Sequence, residues 1–118
     1  MSAQDTLKSA WDKTCVAVIK LFGMDKPVVP VIRLEGVIMS GGRNANALNL
    51  QRVEKQIEKA FSIADASAVA LLINSPGGSP VQSSLIHDRI RALAVEKDKT
   101  VLAFCEDVAA SGGYFLAV

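Results

Sequence analysis

The residues of this chain best suited to chemistry form two short runs that contain both serine and glycine. One run is Asn74-Ser75-Pro76-Gly77-Gly78-Ser79-Pro80, and the other is Val108-Ala109-Ala110-Ser111-Gly112-Gly113-Tyr114. Each run follows an apolar stretch typical of a β-strand and precedes a stretch with helical spacing. Such a junction can present a serine hydroxyl beside unpaired backbone N–H groups. Together the two runs predict acyl-transfer chemistry, in which a serine attacks a carbonyl carbon.

The first run predicts a tight turn that can hold a negatively charged oxygen. Gly77 and Gly78 can adopt positive φ angles and can therefore turn their N–H groups outward without a Cβ clash. The helix that starts at Ser79 or Pro80 adds unpaired N–H groups and a positive dipole end. Such a site would stabilise the oxyanion of a tetrahedral intermediate. A Pro-Gly-Gly turn alone is more often a simple connection, so this interpretation depends on the second run.

Ser111 lies at the second junction between a strand and a helix. Its hydroxyl can be exposed there, the Gly112 N–H can point at the same oxygen, and Gly113 permits a close approach of the backbone. A lone serine at a helix start is more often an N-cap. Because two such motifs follow adjacent strands, the pair is more specific than either motif alone. Ser111 is therefore the candidate nucleophile.

The elements that must position these runs alternate along the chain. The order of strands and helices predicts an α/β fold with a mostly parallel sheet and right-handed crossovers. In such sheets, ligands bind beyond the carboxyl ends of the strands, where both runs fall. The predicted strands are 28–34, 37–39, 68–73 and 100–105, and a loop is predicted over 40–46. The predicted helices are 47–64, one from Ser79 or Pro80 with a buried stripe of Val81, Leu85, Ile86, Ile90 and Leu93, and one from Ser111.

Composition excludes several classes of function. The chain has 118 residues, enough for one domain, and a formal charge of +1 that favours neither nucleic acid nor an acidic substrate. Aromatic residues are scarce, which also argues against base stacking. Cys15 and Cys105 lack the spacing of metal ligands and are predicted to be buried free thiols. No metal, cofactor or nucleic-acid partner is expected.

The N-terminal segment differs from the rest of the chain. Residues 1–26 are predicted to form an amphipathic helix over 5–22 and a linker, and residues 27–118 are predicted to form the N-terminal portion of the α/β domain. The helix would pack on its own domain or on a partner subunit, or would lie on a membrane surface as a peripheral anchor, since Trp11 and Phe22 suit an interface. No spanning helix or secretory signal peptide is predicted. The expected location is therefore cytoplasmic or membrane-associated.

From Val31 onward the chain resembles the signal peptide peptidase family of serine peptidases, of the SppA and SohB type. The resemblance rests on residues 74–78 and 109–114, and on the strand end over 34–38. It implies the fold of Clp protease and the crotonases, which is built from repeated ββα units. It also implies that the chain is the N-terminal part of a longer peptidase.

The same resemblance implies roles for individual residues. Ser111 would be the nucleophile, and the N–H groups of Gly78 and Gly112 would form the oxyanion hole. Pro76, Gly77 and Gly113 would shape the supporting loops. The implied mechanism is a Ser-Lys dyad rather than a Ser-His-Asp triad.

No residue of the chain is predicted to serve as the general base. His87, the only histidine, lies roughly 13 Å along its helix from the helix start and is predicted to be a surface residue. Lys97 and Lys99 flank the far end of the strand that leads to Ser111, roughly 17–20 Å from the end of that strand. The resemblance implies that the lysine comes from beyond Val118, from another half of a fused protein, or from another subunit. The isolated chain is therefore expected to be inactive.

Partners follow from the resemblance alone. It implies a peptide substrate, derived from membrane proteins or signal peptides, and assembly into a homo-oligomer. Glu106 and Asp107 are expected either to form hydrogen bonds in a turn or to touch the substrate. Two other functions stay open, namely a non-catalytic module that binds peptides and a crotonase-type enzyme that acts on acyl-CoA.

Overall fold

The computed structural model describes residues 26–41 and 46–118, which form a parallel sheet with helices. The strands lie in the order β1-β2-β3, and both pairings are parallel. The predicted α/β class and parallel sheet are thus confirmed. In chain order the elements are β1 (Val31–Glu35), α1 (Leu50–Phe61), β2 (Ala68–Ser75), α2 (Pro80–Lys97), β3 (Thr100–Ala109) and α3 (Gly112–Ala117).

Part of the N-terminal prediction lies outside the described residues. This applies to the helix over 5–22, to nearly all of the segment 1–26, and to Cys15. Of the predicted loop over 40–46, the described residues 40, 41 and 46 lie in neither helix nor strand. Across 26–41 and 46–118, no helix is both long enough and apolar enough to cross a membrane.

The core lies between the sheet and the two long helices, on one face of the sheet. Alternation along β2 turns Val69, Leu71 and Ile73 toward this face, and each is almost fully buried. The register pairs Leu34 of β1 with Ile73, so that both strands contribute to the same layer. The helices complete the cluster with Val53, Ile57, Phe61, Ile86, Ile90 and Leu93.

Polar side chains define where the two long helices begin. Asn49 caps α1, because its Oδ1 accepts a hydrogen bond from the Arg52 N–H at 3.0 Å. Ser79 caps α2 in the same way, and Pro80 occupies the first turn, where its missing N–H costs nothing. The predicted start of α2 is confirmed. Helix α1 is shorter than the predicted 47–64, since Leu48 bridges to Ile38 instead of joining the helix.

The predicted strand over 37–39 is reduced to a single bridging residue. Gly36 has a φ of +105°, and a Cβ there would lie 2.7 Å from the Asn46 carbonyl oxygen. The chain therefore turns sharply after β1, and Ile38 forms isolated bridges to Leu48 and Gly78. Ile38 links β1 to the turn that follows β2, and this link positions the site described below.

The buried face of α2 differs from the predicted stripe. Ile86, Ile90 and Leu93 are buried as expected, but Val81 and Leu85 are 66% and 44% exposed. At 100° per residue, Leu85 and Val81 lie about 100° and 140° around the helix from Ile86. The smaller residues Ser83 and Ala94 fill the face instead.

The prediction that 100–105 forms a buried strand is wrong in its burial, and so is the prediction that Cys105 is buried. Strand β3 extends to Ala109, and most of its residues, including Cys105, are exposed. The reason is position: within the described residues, β3 is an edge strand that pairs only with β2. The residues of β3 are as apolar as those of a central strand, so their composition alone predicts burial.

Replacement of Ile86 by alanine tests the corrected face of α2. Ile86 is fully buried, and Ile86→Ala is expected to lower the free energy of unfolding by about 2–5 kcal/mol. The neighbouring Leu85→Ala is the matched control, with an expected loss within about 1 kcal/mol because Leu85 is half exposed. Urea unfolding of the protein measures both values. Equal losses would contradict this orientation of the helix.

Candidate active site

The carboxyl ends of β2 and β3 lie side by side, so the turns that follow them meet. Ser75 is in register with Ala109, and the Ala110 N–H donates to the Ser75 carbonyl oxygen at 3.1 Å. Between Ile73 and Ser75 the register shifts, and the Asn74 side chain accepts a hydrogen bond from the Val108 N–H at 3.3 Å. The two runs predicted to form the site are thus brought together.

Gly77 lies in close contact with the turn that contains Ser111. A Cβ at Gly77 would lie 2.7 Å from the Gly112 nitrogen, 2.8 Å from the Ala110 carbonyl oxygen and 2.8 Å from the Ser111 Cβ. The φ of Gly77 is +95°, a conformation that L side chains rarely adopt. Glycine is required here both by backbone conformation and by the space available.

Gly78 is held against the segment that follows β1. The Ile38 N–H donates to the Gly77 carbonyl oxygen at 2.9 Å, and the Ser79 N–H donates to the Ile38 carbonyl oxygen at 2.7 Å. In a trans peptide the C=O and N–H point in opposite directions. Because the Gly77 carbonyl points at Ile38, the Gly78 N–H of the same peptide unit points away from Ile38.

Ser111 occupies a strained turn and leaves its hydroxyl free of helix capping. Its φ is +51° and its ψ is −120°, and its side chain forms no cap hydrogen bond with α3. The helix starts through backbone bonds instead, since the Phe115 N–H donates to the Ser111 carbonyl oxygen at 3.0 Å. Such backbone conformations are costly for residues other than glycine and cluster at functional sites. The alternative interpretation of Ser111 as an N-cap therefore does not hold.

The glycines after Ser111 let the turn approach its neighbours. A Cβ at Gly112 would lie 2.3 Å from the Ser83 Oγ, and one at Gly113 would lie 2.3 Å from the Ser75 carbonyl oxygen. Gly113 donates its N–H to the Ala110 carbonyl oxygen at 2.8 Å. Within the described residues, the N–H groups of Gly78 and Gly112 donate no hydrogen bond. Two donors thus remain available beside Ser111.

A pocket of about 310 Å³ opens beside Ser111. Its walls combine Gly78 and Gly112, whose N–H groups are unbonded, with apolar surface from Pro80 and Phe115. Among the described residues no charged side chain lines it, so it suits an apolar group. The lining residues are Gly78, Pro80, Ser83, Ser84, Ser111, Gly112 and Phe115.

His87 lies at the surface, as predicted, but is partly covered. Its side chain is 22% exposed, and its ring lies 4.7 Å from the ring of Phe115, which follows Ser111 by one helical turn. The partial cover comes from α3, which packs against α2. The ring nitrogens of His87 face Asp88 and the Val118 carbonyl oxygen, and His87 does not line the Ser111 pocket.

The lysines of the described residues lie away from Ser111. Lys99 donates to the Ile63 carbonyl oxygen, and Lys97 pairs with Glu96 at 3.1 Å. Both flank the start of β3, which is ten residues long and thus spans roughly 30 Å to its end near Ser111. No lysine lines the Ser111 pocket. Within the same residues, no group of histidine, cysteine or carboxylate side chains could hold a metal ion.

Glu106 and Asp107 were expected either to form hydrogen bonds in a turn or to touch the substrate. Both lie within β3 instead of a turn, because the strand is longer than predicted. The Glu106 carboxylate pairs with Arg33 of β1 at 2.9 Å, across the open face of the sheet. Neither carboxylate lines the Ser111 pocket.

Sequence reasoning missed Ser75. This serine is fully buried, and its hydroxyl bonds to both turns that flank it. The signal was present in the alternation of β2, since residues 69, 71 and 73 face the core and 75 continues that series.

The sequence is similar to proteins that are named as proteases, although no family model matches the chain. Over 68 residues the chain is 41% identical to the chloroplastic serine protease SPPA of Arabidopsis thaliana, covering 55% of this chain and 10% of that protein. Over 89 residues it is 30% identical to Protease 4 of Haemophilus influenzae, covering 75% of this chain and 14% of that protein. Over the matched residues, the chain is therefore similar to a part of proteins that are named as SppA-type proteases.

A second kind of relative carries a different name. Over 91 residues the chain is 56% identical to a protein of Brucella abortus named Na(+)/H(+) antiporter NhaA, covering 76% of this chain. The chain spans only 12% of the length of that relative. The match therefore concerns a small part of that protein.

Replacement of Gly77 by alanine tests the contact between the turns. Gly77→Ala is expected to lower the free energy of unfolding by about 2–5 kcal/mol, from the positive φ and from overlap with the Ser111 turn. Gly41→Ala is the control, because among the described residues other than its chain neighbours the nearest atom to its added Cβ is 3.8 Å away. Its expected effect is within about 1 kcal/mol in either direction. Thermal and urea unfolding measure both, and a Gly77→Ala protein as stable as the control would contradict the contact.

Proposed function

We propose that this chain carries the nucleophile and the oxyanion hole of an SppA-type serine endopeptidase. The observation that carries the proposal is the strained, uncapped Ser111 beside two unbonded N–H groups, those of Gly78 and Gly112. A capping serine would have ordinary extended backbone and a bonded hydroxyl. The protease-named relatives support the same class of enzyme.

In the proposed mechanism, the Ser111 Oγ attacks the carbonyl carbon of the scissile peptide bond. A neutral lysine takes the hydroxyl proton and later passes it to the leaving amine. The negative charge on the carbonyl oxygen is held by the N–H groups of Gly78 and Gly112. Water then hydrolyses the acyl group from Ser111 with the same lysine as the base.

The lysine is proposed to come from outside the described residues. It must be desolvated, because burial lowers the pKa of a lysine and makes it neutral near pH 7. None of the lysines whose surroundings the structure describes lines the Ser111 pocket. We propose a lysine from elsewhere in the natural protein or from a second subunit, and an isolated chain without activity.

The substrate is proposed to be a peptide with an apolar side chain at the pocket, such as a signal peptide or a fragment of a membrane protein. Pro80 and Phe115 give the pocket an apolar wall, and no charge opposes an apolar group. Assembly into a homo-oligomer and peripheral membrane contact through residues 1–26 are part of the same proposal. The proposed oligomer rests on the family resemblance, and the proposed membrane contact rests on the sequence of residues 1–26. We propose a cytoplasmic or membrane-associated location on the same grounds.

Two other functions make different predictions. A peptide-binding module would bind the same peptides without turnover, and a crotonase-type enzyme would bind an acyl-CoA thioester and be indifferent to Ser111. The strained turn at Ser111 disfavours both, because neither function needs an exposed serine hydroxyl. Ion exchange is the named activity of the Brucella relative and is not part of the proposal.

Replacement of Ser111 by alanine tests the proposal. In the longest natural protein that contains this segment, Ser111→Ala is expected to lower kcat for apolar peptides by about 10⁴-fold or more, because the attacking oxygen is lost. Cleavage of fluorogenic peptides with signal-peptide sequences measures the rate.

Ser62→Ala is the matched control for this experiment. Ser62 ends α1, its hydroxyl donates to the Lys59 carbonyl oxygen, and it lies outside the Ser111 pocket. Its kcat should equal that of the parent protein. Turnover that survives Ser111→Ala would exclude the serine mechanism, and binding without turnover in the parent protein would favour the peptide-binding module.

A further inference from the structure

Ser75 is a fully buried polar residue in an otherwise apolar layer of the core. Its hydroxyl donates to the Gly36 carbonyl oxygen at 2.7 Å and accepts from the Gly77 N–H at 3.1 Å. Both hydrogen-bonding capacities of the hydroxyl are therefore directed at turns rather than at its own strand. One turn follows β1 and the other follows β2.

The hydrogen bond from the Gly77 N–H to the Ser75 hydroxyl affects the proposed oxyanion hole, because it fixes one of the two peptide units that flank Gly77. The unit before Gly77 carries the N–H that Ser75 accepts, and the unit after it carries the carbonyl that Ile38 binds. Glycine has two freely rotating backbone angles, so both units must be held to fix the turn between them. The second unit also contains the Gly78 N–H, whose direction follows from the trans geometry.

The hydrogen bond from the Ser75 hydroxyl to the Gly36 carbonyl oxygen supports the same turn indirectly. It attaches Ser75 to the bend at Gly36, two residues before Ile38. Ile38 in turn binds the Gly77 carbonyl and the Ser79 N–H. Ser75 and Ile38 thus hold the Pro76-Gly77-Gly78 turn from both ends, and Ser75 holds the bend that positions Ile38.

We infer that Ser75 is a positioning residue that aims the Gly78 N–H at the oxyanion. The effect of Ser75 on catalysis rests on the proposed function. The hydrogen bond by which Ser75 fixes Gly77 does not depend on that function. Oxyanion-hole donors must be aimed in advance, because a donor that reorients during the reaction contributes less. The Ser75 side chain does not touch the substrate and acts through the turn.

Replacement of Ser75 by alanine separates the hydroxyl from the backbone contacts of the same residue. The Ser75 carbonyl still accepts from the Ala110 N–H in this variant, so the Ser111 turn keeps its anchor. In the full natural protein, Ser75→Ala is expected to lower kcat about 10- to 100-fold with KM within about twofold. This is less than the roughly 10²- to 10³-fold cost of deleting an oxyanion-hole donor. Ser75→Thr retains the hydroxyl and is expected to recover part of kcat.

Val69→Ala is the control for a general loss of stability. Val69 is equally buried on the same strand and face, six residues away and about 20 Å from Ser75. Its kcat should stay within about twofold of the parent. A kcat for Ser75→Ala that matches Val69→Ala would overturn the positioning role. If Ser75→Ala does not fold, Ser75→Cys, which retains the volume but has a weak donor, takes its place with the same expected loss.

Hydrogen exchange at the Gly77 amide provides a readout that does not require turnover. Loss of its acceptor should speed exchange at Gly77 in Ser75→Ala by at least about tenfold and leave the Leu71 amide, in the centre of β2, unchanged. If the parent protein hydrolyses no peptide, the proposed function is wrong. Faster exchange at Gly77 in Ser75→Ala would even then show that the Ser75 hydroxyl fixes the turn. Unchanged exchange at Gly77 would overturn the inference whether or not the protein is a peptidase.

Discussion

The site depends on the close approach of two backbone turns at the carboxyl ends of β2 and β3. Gly77 lies so near the Ser111 turn that an added Cβ would meet Gly112, Ala110 and Ser111 within 2.8 Å. Parallel pairing of the strands brings the turns to one edge, and the absence of side chains lets them touch. The exposed hydroxyl of Ser111 and the unbonded N–H of Gly78 share one pocket as a consequence.

The meeting of the two turns could be predicted from the sequence because its determinants are local. The turns at Gly77 and Gly112 follow apolar strands and precede helices, and the alternation of elements places both at one edge of a parallel sheet. The exposure of β3 could not be predicted, because it depends on which strands lie beside it rather than on its own residues. The contact between His87 and Phe115 was equally inaccessible, since it joins residues of different helices.

The described residues supply one half of the proposed catalytic arrangement. They supply two unbonded N–H groups, the proposed donors to the oxyanion, and a hydroxyl held in a strained turn. They place no base in the pocket of Ser111, and their lysines lie before β1, along α1 or near the start of β3. Since a serine hydroxyl is a poor nucleophile without a base, the proposed chemistry needs a base from outside the described residues.

The central claim is that Ser111 becomes acylated, and peptide mapping tests it most directly. The natural protein would be mixed with an activated ester of a blocked apolar amino acid, quenched in acid within the first turnovers, digested and analysed by mass spectrometry. The account predicts the mass of the acyl group on the peptide that contains Ser111, and its absence from the Ser111→Ala protein. Ester turnover with an unmodified Ser111, or with the acyl group on a different residue, would contradict it.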